Sequence, residues 1–219
     1  MNDSPLKWII LELFSRYDII NRFRIPISTL ISFCDRLVQG YEVFKNPYHN
    51  SRHAADVLQT IHFLIHYTGL IHWLSELEIF AIFVATAAHD FEHTGRTNDF
   101  HINTRSDLAI LYNDRSPLEN HHASALFALL NNDKMNICQN LSREEYREFR
   151  NLVIEMILGT DMKTHFDQLQ SMRNAMHSHT EVLEKKLLFV IFLGFRTGGS
   201  GPLLSDLFSV FFRTFIGAS

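Results

Sequence analysis

Apolar residues along the chain recur at helical spacing almost everywhere, and alternation of period two is nearly absent. The stretch LKWIILELFSRYDIINRF places Trp8, Leu11, Phe14 and Ile19 near one helical face and predicts a first helix. Pro26 followed by Ser28 marks a stop and a fresh start, and a second amphipathic segment runs from about Ile27 to Phe44. NPYHN at 46–50 is a turn leading into RHAADVLQTIHFLIHYTG, a helix expected to end at Gly69. SELEIFAIFVATAAHDFEH opens with a capping-box pattern, Ser75 and Glu78, and is apolar nearly all round as far as His89, as a buried helix is. SPLENHHASALFALLNN predicts another capped helix, with Pro117 in its first turn. Ser142 and Glu145 repeat the box ahead of a helix running through Leu158. The expected fold class is all-α, a compact multi-helix array.

From Leu187 the texture changes. LLFVIFLGFRTGGSGPLLSDLFSVFFRTFIGAS is apolar and Phe-rich, but Gly194, Arg196 and the TGGSGP turn break it too often for a membrane span of about 20 apolar residues. The chain is therefore divided into a globular part, 1–186, and a divergent apolar tail, 187–219. Composition narrows the function. A formal net charge of -4 without a basic run argues against a nucleic-acid surface. Cys34 and Cys138 are too few and too far apart for a disulfide framework or a zinc knuckle, and the N-terminus lacks the blocks of a signal peptide, so a cytoplasmic protein is expected.

The polar chemistry gathers where helices end. His49, His53, His89, His93, His121 and His122 fall at or near predicted helix ends beside acidic residues, which suggests one shared centre. His49 and His53 are four apart, as are His89 and His93, so each pair could share a helix face. Asp90, next to His89, could bridge two metal ions through its two oxygens, the arrangement of a two-metal phosphoryl-transfer site. A lone HxxxH pair is more often structural than ligating. His62, His66 and His72 lack carboxylate neighbours and are assigned to structure.

HDFEHTGRTNDF from His89 to Phe100 resembles, position by position, the signature of the class I 3′,5′-cyclic-nucleotide phosphodiesterases, and NPYHNSRHAADVLQT, TRSDLAILYNDRSPLENHH and RNLVIEMILGTDMKTHF resemble its flanking motifs in order. The wording is most similar to the calcium/calmodulin-dependent subfamily, over about Trp8 to Thr180. The resemblance implies an HD-type phosphodiesterase catalytic domain, incomplete on its C-terminal side, that hydrolyses cAMP, cGMP or both to the 5′ nucleotide by a two-metal mechanism. It implies His49 as general acid, and His53, His89 and Asp90 as ligands of Zn2+, with Asp90 also touching Mg2+ (or Mn2+). His93, Glu119 and Thr160 would hold waters on that second ion, and Tyr48 and Met162 would line the substrate pocket. The helix ends near 49, 90, 120 and 160 are then expected to converge on one polar pocket.

One departure from the pattern matters. Where the family carries an HAADxSHP motif whose aspartate is the fourth zinc ligand, this chain reads LLFVIFLGFRTGG; Asp206 is the one carboxylate beyond Glu184, and no glutamine follows Gln170 to hold a purine. Activity is expected to be impaired, and a calmodulin-binding segment is not expected in this chain. Two other readings stay open: a non-catalytic isoform or remnant acting as a binding protein, and a different HD-type metal phosphohydrolase.

Overall fold

The computed structural model describes residues 4–164. Among these there is no strand, and nine α-helices are joined by short turns. The tail at 187–219 with Asp206, and Gln170, lie outside the described residues.

The first expected helix is two. α1 spans Pro5–Arg16 and α2 spans Ile19–Arg22, because Asp18 turns left-handed (φ 54°) between them. The apolar pattern continues across that break, which is why periodicity alone missed it: Ile10, Phe14 and Ile19 are all buried on the same side. α3 (Ile27–Glu42) and α4 (Ser51–Tyr67) flank the NPYHN turn. Asn50 is the N-cap of α4, its side-chain oxygen accepting from the backbone N–H groups of Arg52 and His53. α4 ends ahead of Gly69, which is left-handed (φ 71°) and opens a short 3-10 turn, Leu70–His72.

α5 (Glu76–Ala88) is the central helix, and every residue from Ile79 to Ala88 is buried. Its capping box is complete: Glu78 N–H donates to Ser75 Oγ (3.2 Å) and Ser75 N–H to Glu78 Oε2 (2.8 Å). Phe80 anchors it, stacked on Phe23 (4.9 Å between centroids), edge-on to Phe14 (5.7 Å) and tilted against Phe149 (4.8 Å). Each such buried ring contributes roughly 1.5–3 kcal/mol, so this cluster ties α1, the segment after α2, and α9 to one helix.

α6 (Asn98–Asn103) and α7 (Asp107–Leu111) are too short to show a period, yet each carries a side-chain cap, Thr97 and Ser106. α8 (Pro117–Leu130) starts with proline in its first turn as expected, but Ser116 does not cap it. Ser116 is left-handed (φ 42°), and its hydroxyl donates instead to Asp161 Oδ2 at 2.6 Å. α9 (Arg143–Leu158) has the second complete box, Ser142 and Glu145, and ends at Gly159; a 3-10 turn, Met162–Thr164, follows. Cys34 and Cys138 are both buried and unbridged. No helix among the described residues is long and apolar enough to cross a membrane.

Candidate metal centre and its cavity

His89 is the C-cap of α5, so its ring and the Asp90 carboxylate leave the buried helix together. His53 reaches them from the first turn of α4. The Nε2 atoms of His53 and His89 lie 3.2 Å apart, and Asp90 Oδ2 is 3.4 Å from the first and 3.1 Å from the second. His89 Nδ1 is 2.9 Å from the Thr86 carbonyl, to which it donates, so its Nε2 presents a lone pair to the centre. Lone-pair atoms this close repel one another unless a proton or a cation stands among them.

Asp90 is 1% exposed, and its Oδ1 finds no hydrogen-bond partner among the described residues. Burial pushes this carboxyl up, but the imidazoles around it, His89 foremost and then His53 and His122, outweigh burial and hold it well below the usual carboxylate range. A buried carboxylate with an unpaired oxygen is costly. A divalent ion would satisfy both the crowded Nε2 atoms and the orphaned oxygen, so the residues fit a metal. Ligand atoms of His53, His89 and Asp90 lie within 4.8 Å of one another, as do those of Asp90, His93 and His122, and Asp90 is common to both groups. Asp90 thus faces both sides of the centre.

The hydrogen bonds separate the roles of these imidazoles. His122 Nδ1 donates to the Phe91 carbonyl (2.7 Å), turning its Nε2 lone pair toward Asp90 Oδ1 at 3.9 Å. Burial drives its pKa down to about 3 against the pull of Asp90, so the ring is neutral. His93 is the opposite case: Gly95 N–H donates to its Nδ1 (2.9 Å), so its proton sits on Nε2. His93 therefore offers the centre a donor rather than a lone pair, which suits holding water or an anionic oxygen.

Neither HxxxH pair shares a helix face, contrary to expectation. His49 precedes the N-cap Asn50, and α5 has ended before His93. What brings His49 and His93 together is stacking, with ring centroids 3.9 Å apart and planes within 10°. Asn46 ties the two loops, its Nδ2 donating to the carbonyls of His93 and His49 (2.5 and 3.3 Å). Gly95 must be glycine here: its φ is 77°, and a Cβ would lie 2.4 Å from Asn46 Oδ1.

A cavity of about 300 Å³ opens beside this centre, lined by His49, His93, Gly95, Arg96, Thr97, Asn98, Asp99, Leu118, Glu119, Asp161, Met162 and Lys163. Glu119 is buried on its wall, held by Asn98 Nδ2 at 2.7 Å. Asn98 also accepts from Leu118 N–H (3.0 Å), so one amide fixes both the start of α8 and its carboxylate. Asp161 is oriented by Ser116 and by Lys163 N–H (2.9 Å). The cavity walls thus come from the 46–50 turn, the loop after α5, the start of α8 and the segment after α9, the four places expected to meet, with the start of α6 as a fifth. Thr160 is buried, its hydroxyl donating to the Ile157 carbonyl (2.8 Å), and is not on the cavity wall. Tyr48 also lies off the wall, packed on His49 and His53 (5.0 and 4.6 Å between centroids). His62, His66 and His72 stand apart from the centre; His62 Nδ1 pairs with Tyr17 OH at 2.9 Å.

Sequence reasoning gave no role to Asn46, Asn98 or Asp161, and counted His122 only as one histidine of the shared centre. All four sit within motifs already singled out, but the two asparagines work through partners on other elements, 47 and 21 residues away.

The arrangement has relatives. Residues 48–193 match the family described as 3′5′-cyclic nucleotide phosphodiesterase, a match that reaches past residue 186. The human dual specificity calcium/calmodulin-dependent 3′,5′-cyclic nucleotide phosphodiesterase 1C is 59% identical over 184 residues, which are 84% of this chain and 26% of that protein. The bovine 1B protein of the same description is 50% identical over 190 residues, 87% of this chain and 36% of its own length. The chain thus spans about a quarter to a third of the curated relatives it matches. The crystal structure of the phosphodiesterase domain of the RhoPDE fusion protein from the choanoflagellate Salpingoeca rosetta superposes with a TM-score of 0.83 at 33% identity, covering 90% of this chain and 63% of that one. With two thirds of its residues matched to the family and a helical array that superposes on a solved phosphodiesterase domain, the chain belongs to the 3′5′-cyclic nucleotide phosphodiesterases.

Proposed function

We propose that this centre hydrolyses 3′,5′-cyclic nucleotides, cAMP, cGMP or both, to 5′ nucleotides. The observation that carries the reading is the convergence of His53, His89 and Asp90, with an unpaired Asp90 oxygen, beside a cavity whose rim holds His49. His53, His89 and Asp90 are the proposed ligands of Zn2+, and Asp90 is shared with Mg2+ or Mn2+. Bound divalent ions supply a more acidic water and neutralise charge developing on the phosphoryl group.

The chain's own side chains supply the rest. Asp90 contributes a carboxylate that its surroundings keep ionised. His93, as an Nε2–H donor, Glu119 and Thr160 are the residues proposed to hold waters on the second ion. His49 is 29% exposed and within solvent's reach, where it gives a proton to the 3′ oxygen as the P–O3′ bond breaks and the oxygen of water becomes bonded to phosphorus. Met162, on the wall, contacts the nucleotide, and Tyr48 braces His49. Unbridged Cys34 and Cys138 accord with a cytoplasmic setting.

Turnover by this chain alone is low in this reading. Residues 187–199 read LLFVIFLGFRTGG where the resemblance calls for a further aspartate ligand, so water activation and substrate positioning both suffer. The test is hydrolysis of cAMP and cGMP by the purified chain with zinc and magnesium, beside a chimera given a family-type segment after residue 186 and the same chimera carrying His49→Ala. The expected order is chimera fast, His49→Ala chimera slower by about 100-fold or more, and native chain slower by a similar factor. Equal turnover of native chain and chimera overturns the impairment. A metal-loaded chimera without hydrolysis overturns the catalytic assignment in favour of a binding protein.

A further inference from the structure

Asp90 and His93 face one centre only because the chain reverses between them. His93 N–H donates to the Asp90 carbonyl at 3.0 Å, closing a four-residue turn. Its third residue, Glu92, has φ 61°, the left-handed region that suits glycine and strains other side chains. A glutamate stays in that conformation only when its surroundings impose it.

Two helices impose it here. From α3, Arg36 Nη2 reaches Glu92 Oε1 at 3.0 Å; from α8, His121 Nε2 lies 3.3 Å from Glu92 Oε2. The preceding residue is gripped by the same two helices. The Phe91 ring fills the space over Gly40 of α3, and its carbonyl accepts from His122 Nδ1 of α8. Arg36 serves both residues, its guanidinium lying 5.8 Å from the Phe91 ring centroid. The turn is therefore a bridge between α3 and α8 as well as a link between Asp90 and His93.

We infer that Glu92 is a positioning residue: its carboxylate, clamped between Arg36 and His121, holds the left-handed turn that sets Asp90 and His93 at the spacing the metal centre needs. Glu92 acts without touching the centre. The role rests on the metal reading of Asp90 and its neighbours given above. A bare surface ion pair would contribute little; what gives this one an effect is that it fixes a backbone conformation between two residues of the centre.

The test uses Co2+ alone as probe, titrated into the metal-free chain and followed by its visible absorption, with thermal unfolding of the metal-free chain alongside. Glu92→Gln keeps the size of the side chain and should weaken Co2+ binding by about 10–100-fold and change the band shape. Arg36→Met should do the same, and the pair of substitutions together should be no worse than the stronger single one, because both break one clamp. Glu92→Gly relaxes the backbone but lacks the carboxylate, so it should not restore binding. Native affinity and spectrum in Glu92→Gln, or additive losses in the double variant, overturn the inference. Loss of affinity that merely tracks a lower metal-free melting temperature also overturns it, by making Glu92 structural. Absence of Co2+ binding by the unaltered chain, or its survival in His89→Ala, overturns the metal reading and this role with it.

Discussion

The Nε2 atoms of His53 and His89, from residues 36 apart in the chain, meet at 3.2 Å with Asp90 Oδ2 within 3.4 Å of both. Three ligand atoms already in place mean that little is spent on ordering them when an ion arrives. Zinc should bind, more weakly than in a four-ligand protein site, since water must fill the remaining position. His89→Ala removes the ligand at the hub and should abolish binding. Titration with zinc against a competing chelator measures both, and equal affinity in the altered and unaltered chains would refute the assignment.

Tyr41 holds the end of α5 in place. Its hydroxyl donates to the Ala87 carbonyl (3.0 Å) and accepts from Asp90 N–H (3.3 Å), and burial raises its pKa so that it remains a neutral donor. Tyr41→Phe leaves two backbone groups without these partners. It should cost about 1–3 kcal/mol in urea unfolding of the metal-free chain. A change within experimental error would mean that the backbone finds other partners.

Gly40 is required by contact rather than by backbone conformation. A Cβ there would fall 2.0 Å from Phe91 Cε2, inside the ring that supports the Asp90 turn. Gly40→Ala should destabilise by about 1–3 kcal/mol, the usual range for overpacking. It should also weaken zinc binding, since Phe91 can yield only by moving the residue next to Asp90. A stabilised variant would show that the ring has room to shift.

Folding stability should fall on mild acidification partly through His62. Burial first, then His66 and Arg16, lower its pKa below the ordinary 6.5. The folded state therefore favours neutral imidazole. Its contribution is intact above about pH 6.5 and is lost as pH falls through that value toward the folded pKa. In the tautomer that leaves Nδ1 bare, protonation would also remove the lone pair facing Tyr17 OH, whose own pKa is raised by burial. Urea unfolding at pH 7.5 and 5.5 should show a smaller loss in His62→Gln than in the unaltered chain. Equal losses would place the acid sensitivity elsewhere.

The order of residues by itself determined the long helices and their beginnings. Serine followed by glutamate three positions on marked Ser75 and Ser142, because a capping box is a local bond pattern that needs nothing from the rest of the chain. It also placed His49, His53, His89 and Asp90 at helix ends, since those ends follow from caps and apolar runs. Tertiary structure decided everything that depends on a distant partner. Ser116 reads as a cap but donates to Asp161, 45 residues on; His49 and His93, each expected on a helix with its partner four residues away, stack on each other across two loops instead. α6 and α7 are too short to show a period, and the break at Asp18 keeps the apolar side continuous, so no local signal reported them. Above all, the left-handed turn at Glu92 is unfavourable to its own residue and persists through Arg36, 56 positions earlier, and His121 on α8. Local rules work where the stabilising partner is a neighbour in sequence; the centre is built where the partner is a neighbour only in space.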